Sequence, residues 1–268
     1  MEYTRRTLIR IALSVAAAIS LALLAAPLRA QPINYGNHPG TDVTFNQVVE
    51  DSATDSTPLF GAPLVSGNGM SFTPTAAFNA KSITGIPAVD ITDGKLSFTL
   101  DANNSNLGAI HTVAVTERGD YTLQGSGTAV THVTVGAPVD LTVTGIDGVA
   151  VTPIPLLPQN LVFTPSAGAY NLVSNSGTGV AWFGSISINV DALLAAAGGP
   201  SGRITEVQYV MDNTLFAQSE SSSVAIIEKK NATDGVGITV NTPEPSTAVL
   251  ALLGSLALVW HVRRRRAG

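Results

Sequence analysis

The chain has 268 residues, with 14 Lys+Arg against 19 Asp+Glu and a net charge of −5. Only 12% of its residues are charged, about half the usual globular share of roughly a quarter. No cysteine is present, which excludes disulfides, thiol catalysis and Cys-ligated zinc or iron–sulfur sites. The length allows one large or two small domains with a sizeable core.

Residues 1–30 read as an export signal. Arg5, Arg6 and Arg10 form a basic head, residues 11–26 are an uncharged apolar run, Pro27 breaks it, and Ala30 places a small residue before Gln31. That order predicts a signal helix cleaved after Ala30 rather than a retained anchor. The stretch Thr4-Arg5-Arg6-Thr7-Leu8-Ile9-Arg10 also resembles a twin-arginine signal, so both that route and ordinary Sec export stay open.

Residues 31–241 read as β throughout. Leu96, Phe98 and Leu100 share one face, as do Val139, Leu141 and Val143. So do Trp182, Ile186, Ile188 and Val190, and again Val207, Tyr209 and Met211. Period-two alternation marks strands with one buried face. Further strands are expected at 41–49, 70–79, 109–117, 127–135, 159–164, 222–230 and 235–241, all rich in Thr, Val and Ile. Asn68-Gly69, Asp93-Gly94, Asp147-Gly148 and Asp234-Gly235 are expected turns. One short helix is expected at 191–197, capped by Asp191 and ended by Gly198. Residues 51–69 are expected to form a loop. Pro153, Pro155 and Pro158 exclude a central strand from 149–158 and mark a crossover or a boundary. Neither half has an evident strand set of its own, so one domain is expected. The fold class is all-β: an antiparallel β-sandwich or jelly-roll-like ectodomain between a signal helix and a C-terminal transmembrane helix.

Little in this middle region points to catalysis. There is no G-x-S-x-G elbow for a serine hydrolase. His38, His111 and His132 are its only histidines, and no H-x-H or H-E-x-x-H occurs, so a His-rich metal site is not expected. Glu117 and Asp120 read as an exposed, salt-linked turn with Arg118 and Gly119, and Glu206 as a solvent-facing residue. Asp101-Ala102-Asn103-Asn104-Ser105-Asn106 alternates hard oxygen ligands. It lacks the Gly and distal Glu of an EF-hand loop, so it is read as a polar turn, with Asp101 and Asn103 as weak calcium candidates and no other cofactor. Trp182 is expected in the core, with Tyr121 and Tyr170 as candidates for the surface.

The C-terminal end is the most specific part. Thr242-Pro243-Glu244-Pro245-Ser246 precedes residues 247–262, sixteen residues without formal charge, and then Arg263, Arg264, Arg265 and Arg266. A sixteen-residue helix spans about 24 Å at ~1.5 Å per residue, slightly short of a ~30 Å hydrocarbon core. The positive-inside rule keeps the four arginines cytoplasmic and so places the middle region outside the cytoplasm. Pro243, Glu244 and Pro245, the short apolar helix and the Arg cluster resemble the PEP-CTERM sorting signal of bacterial surface proteins. The resemblance covers 242–268. It implies processing near Pro243-Glu244-Pro245 by exosortase, a membrane-embedded cysteine transpeptidase, in a Gram-negative host that makes an exopolysaccharide or biofilm matrix. Two prolines keep that motif out of helices and central strands and so accessible. Asp42-Val43-Thr44-Phe45, Thr116-Glu117-Arg118-Gly119-Asp120-Tyr121, Asp212-Asn213-Thr214-Leu215 and Glu228-Lys229-Lys230 further resemble a recurring ectodomain of PEP-CTERM proteins, one that brings no functional residues with it.

Without the two ends, 31–242 keeps 6 basic and 17 acidic residues, a net of −11 (14 − 8 basic, 19 − 2 acidic). Nucleic acid and anionic lipid are therefore not expected partners. The expectation is a non-enzymatic, exported cell-surface or matrix protein. It is held at the inner membrane by residues 247–262, processed by exosortase, and structural or adhesive within an exopolysaccharide layer. The alternative is a carbohydrate-binding module or polysaccharide-acting enzyme on the same sandwich.

Overall fold

The computed structural model describes residues 31–103, 109–232 and 235–242. The expected signal helix (1–30), the sorting tail (243–268) and Asp234 lie outside them. Among the described residues no helix is long and apolar enough to cross a membrane.

Among the described residues seventeen strands form two antiparallel sheets. In chain order they are β1 (Ile33–Pro39), β2 (Val43–Asp51), β3 (Leu64–Ser66), β4 (Gly69–Phe72), β5 (Asn79–Ile83), β6 (Val89–Ala102), β7 (Thr112–Gly125), β8 (His132–Gly136) and β9 (Pro138–Ile146). The chain continues with β10 (Val149–Pro155), β11 (Gln159–Asn160), β12 (Val162–Thr164), β13 (Ala169–Asn171), β14 (Gly177–Asn189), β15 (Ile204–Gln218), β16 (Ser223–Lys229) and β17 (Val236–Asn241). The first sheet runs β1-β2-β6-β15. The far edge of β15 is then shared end to end by β9 at 204–211 and β8 at 214–218. The second runs β12-β14-β7, and the far edge of β7 is shared by β17 at 112–117 and β16 at 119–125. Each sheet therefore forks along its longest strand. The apolar faces of both meet in one core that includes Phe45, Phe98, Tyr209, Phe72, Tyr121 and Trp182, so the chain is a β-sandwich.

Several sequence expectations need correction. Asp93-Gly94 is no turn: both residues lie within β6. A Cβ on Gly94 would stand 2.7 Å from the Phe78 ring, so this glycine makes room for packing rather than for a bend. The expected strand 70–79 is two strands, β4 and β5, separated by a turn. The 51–69 loop carries the short β3, whose hairpin to β4 turns at Gly67-Asn68, one residue earlier than expected. The proline-rich stretch from 149 forms β10, an edge strand that pairs only β9, where missing amide donors can face away from the ladder. Asp147-Gly148 does turn between β9 and β10, both at positive φ (50° and 76°), the requirement of a type I′ hairpin. The short helix begins at Val190, and its cap is Asn189, whose side chain accepts from the Ala192 amide.

The strand β2 departs from period two. Val43 and Phe45 point inward, and so do Val48 and Glu50. Gln47, at φ 52°, supplies the extra residue where the β2–β6 register slips between Asn46 and Val49. This bulge re-aims Glu50 into the interior. There its carboxylate accepts hydrogen bonds from the Leu59 and Phe60 amides and from the Tyr35 hydroxyl.

Candidate functional site

The outer face of the first sheet carries the polar side chains left over from its alternation. Across β2, β6 and β15, Thr44 stands opposite Asp101, and Asp101 opposite Glu206. Directly opposed residues place their Cβ atoms about 4.5–5.5 Å apart, so the two carboxylates are near neighbours. They line a groove of about 330 Å³ together with Asn103, Gly145, Val149 and Thr205. Thr144 donates to Glu206 Oε1 at 2.8 Å and fixes that carboxylate at the groove wall. Partial burial, then the Glu206 charge, pushes the Asp101 carboxyl up from its ordinary value. The sequence did place Glu206 toward solvent, yet it gave no hint that Asp101 would be its partner, because register is a long-range property.

Asn103 is occupied otherwise. Its carboxamide oxygen accepts from Thr44 and its amide donates to the Gly40 and Thr41 carbonyls, which pins the β1–β2 turn. Among the described residues no three His, Cys, Asp or Glu side chains stand together as a metal set. Asn104, Ser105 and Asn106 lie outside the described residues.

A second acidic pair lies farther along the same face. Asp93, opposite Thr214 on β15, meets Asp212 on the diagonal, and its carboxyl is pushed up to about 6 by burial first, then by the hydrogen bond and charge of Asp212. A carboxyl raised from 3.8 to about 6 binds its proton more tightly in the folded state. Its contribution to stability is full at low pH and is lost as pH rises through about 6. Asp93→Asn is therefore expected to flatten the fall in stability between about pH 4 and 6.5, with little change at the acid end, as read by chemical denaturation across that range. An unchanged profile would remove the pair as its origin.

The interior holds a third constellation. Glu117 and Lys229, both fully buried, meet at 2.7 Å between Oε2 and Nζ. Asn213, also fully buried, donates from Nδ2 to Glu117 Oε1 at 2.6 Å. The Lys229 ammonium lies 5.1 Å from the Phe78 ring centroid and 5.4 Å from that of Trp182, within cation–π range. Glu117 and Lys229 belong to the second sheet and Asn213 to the first, and all three sit at or beside the forks of β7 and β15. Gly119, paired with both Lys229 and Trp182, makes this possible: a Cβ there would lie 2.3 Å from the indole.

This corrects the reading of Glu117 as part of an exposed turn, since residues 116–121 are the middle of β7. Asp120, nearer the surface, is salt-linked to Lys230 at 2.6 Å. The signal was present in the strand parity. Glu117 shares a face with Val113, Val115 and Tyr121, Lys229 with Ala225 and Ile227, and Asn213 with Tyr209, Met211 and Leu215. Three of the four segments that carry the ectodomain resemblance thus converge on one cluster. Trp182 is in the core as expected. Tyr121 and Tyr170 are buried too, stacked at 4.2 Å, rather than on the surface. Among the described aromatic residues only Phe183 is strongly exposed. His111 pairs with Asp191 beside the short helix. The processing motif Pro243, Glu244 and Pro245 and the arginines 263–266 lie outside the described residues.

No protein-family model matches the chain, and no curated protein matches it. Among solved structures it is similar to TmCBM61 in complex with β-1,4-galactotriose, at 7% identity over 61% of this chain and 88% of that one, with a TM-score of 0.22. It is similar to the family 11 xylanase from Neocallimastix patriciarum, at 10% identity over 79% and 99%, with a TM-score of 0.22. It is also similar to endoglucanase 3 of family GH12 from Trichoderma harzianum, at 8% identity over 82% and 100%, with a TM-score of 0.24. TM-scores of this size do not establish a common fold, and the sandwich rests on the strand order above.

Proposed function

We propose that this chain is an exported, non-enzymatic bacterial surface or matrix protein whose sandwich meets exopolysaccharide through the outer face of its first sheet. Residues 1–30 direct export, residues 247–262 hold the chain at the inner membrane, and an exosortase processes it near Pro243-Glu244-Pro245. The observation that carries the polysaccharide reading is the polar face built by Thr44, Ser97, Thr99, Asp101, Glu206 and Gln208. Its hydroxyls, amides and carboxylates offer many hydrogen bonds to a hydroxyl-rich polymer without an aromatic platform. Such contacts are individually weak, and a repeating polymer strengthens them by multivalency.

Two measurements test this reading. Protein recovered from the cell surface is expected to have an intact mass that excludes residues 246–268; a mass that includes them refutes processing. The protein is also expected to co-sediment with the host's purified exopolysaccharide, and Glu206→Gln with Asp101→Asn is expected to weaken that binding several-fold. Undiminished binding by the double variant would move the contact off this face.

The Asp101–Glu206 pair supports a second reading, a polysaccharide-acting enzyme. Two carboxyls lining one groove are the basic equipment of a glycosidase, and a raised carboxyl suits a general acid. Release of reducing ends from the polymer, abolished by Glu206→Gln, would select this reading over the first.

A further inference from the structure

Lysine, glutamate and asparagine are rarely enclosed together in an apolar interior, because each is expensive to desolvate. Here the two oxygens of one carboxylate hold the other two groups at once. Glu117 Oε2 lies 2.7 Å from Lys229 Nζ, and Glu117 Oε1 accepts from Asn213 Nδ2 at 2.6 Å. The set is nevertheless poorly satisfied as it stands. Lys229 Nζ and Glu117 Oε2 meet without hydrogen-bond geometry, and Asn213 Oδ1 is buried with no hydrogen-bond partner. An amine, a primary amide and a shared carboxylate, all buried from bulk solvent, are the reactants and the acid–base catalyst of an amide exchange.

We infer that Lys229 Nζ and Asn213 Cγ join in an intramolecular isopeptide bond, with Glu117 as the proton carrier. The Lys229 ammonium first passes a proton to Glu117, which frees the nitrogen electron pair. That pair attacks Asn213 Cγ, and the carbonyl π electrons move onto Oδ1. Glu117 delivers its proton to Nδ2 and takes one from Nζ. The carbonyl re-forms, the Cγ–Nδ2 bond breaks with its electrons on nitrogen, and ammonia leaves. The proton taken from Nζ stays on Glu117, which ends as a neutral carboxylic acid beside the new amide, and the ammonia leaves uncharged. One amine and one primary amide become one secondary amide and one ammonia; no oxidant, water or cofactor is consumed.

The surroundings favour the exchange at each step. Burial pushes the Lys229 ammonium below its ordinary value, against the pull of Glu117, so the neutral nucleophile is easier to reach. The Trp182 and Phe78 rings enclose the amine, and exclusion of water protects the product from hydrolysis. The product removes a buried charge from the core. It also ties β16 of the second sheet to β15 of the first, in a chain whose lack of cysteine rules out disulfides. This inference is independent of the polysaccharide reading.

Tandem mass spectrometry of a protease digest of the purified protein tests it. The wild type is expected to yield one branched peptide joining the Asn213 segment to the Lys229 segment, lighter than the two separate peptides by one ammonia. Peptide assignment is needed because a chain cleaved before Gln31 can also lose ammonia by cyclising at its new N-terminus. In Glu117→Gln the same segments are expected as separate, full-mass peptides. Separate peptides from the folded wild type overturn the inference, and a branched peptide persisting in Glu117→Gln overturns the role of Glu117. The wild-type result decides the bond even if the variant fails to fold.

Discussion

Glu117→Ala is expected to lower the unfolding free energy by about 3–5 kcal/mol, the usual penalty for removing one partner of a buried ion pair. Lys229, fully enclosed, would be left with two aromatic faces and no counter-charge. The double variant Glu117→Leu/Lys229→Met is expected to recover the part of the loss that comes from the unpaired charge, because apolar side chains of similar volume need no desolvation of charge, but not the part that comes from the isopeptide bond, which it also lacks. The isopeptide bond acts in the same direction. A covalent link closing a loop of this size removes denatured-state entropy worth about 3 kcal/mol in the chain-entropy picture developed for disulfides. Its loss in Glu117→Ala would also make the denatured state less compact and raise the urea m-value. Urea titrations of wild type and both variants read all of this. A Glu117→Ala midpoint within error of wild type would show that the cluster contributes nothing to stability.

Glu50→Ala is expected to be the second most damaging change, at about 3 kcal/mol or more, taking ~1–3 kcal/mol for each buried donor left without its acceptor. Glu50 is fully buried and takes bonds from the Leu59 and Phe60 amides and the Tyr35 hydroxyl. It therefore anchors both β1 and the 51–63 connection, which contributes Leu59 and Phe60 to the core. Glu50→Gln is expected to retain most of the stability, since a carboxamide oxygen can still accept both amides. If Ala and Gln denature at the same urea concentration, the carboxylate is not the anchor described here. The same contacts explain why the Tyr35 hydroxyl is pushed up, by burial first and then by the bond to Glu50 and its charge.

The sandwich class was readable because alternation is local. β6, β9 and β15 announce their inward faces residue by residue, and each of those faces is buried; in β14 Trp182 and Ile188 are buried, Ile186 is partly so, and Val190 already opens the short helix. The candidate sites were less readable. Asp101 and Glu206 are far apart in the chain, and only the antiparallel register of β6 against β15 makes them opposites. Glu117 was read through its charged neighbours Arg118 and Asp120, and so as a surface turn, although its parity pointed inward. A charged residue on an apolar face needs a partner before burial is credible, and the partner Lys229 arrives from another strand.

Local chemistry was thus enough to set what each residue of the sandwich prefers: β rather than helix, and inward or outward along an uninterrupted strand. Which strands become neighbours was decided only when the two sheets closed on one core. That closure forked β7 and β15, bulged β2 at Gln47 and brought Glu117, Asn213 and Lys229 into one enclosure. The physical reason is that a side chain's intrinsic preference acts over a few residues. Register, bulges and paired buried charges gain their free energy from contacts between segments a hundred residues apart, and exist only once those contacts form.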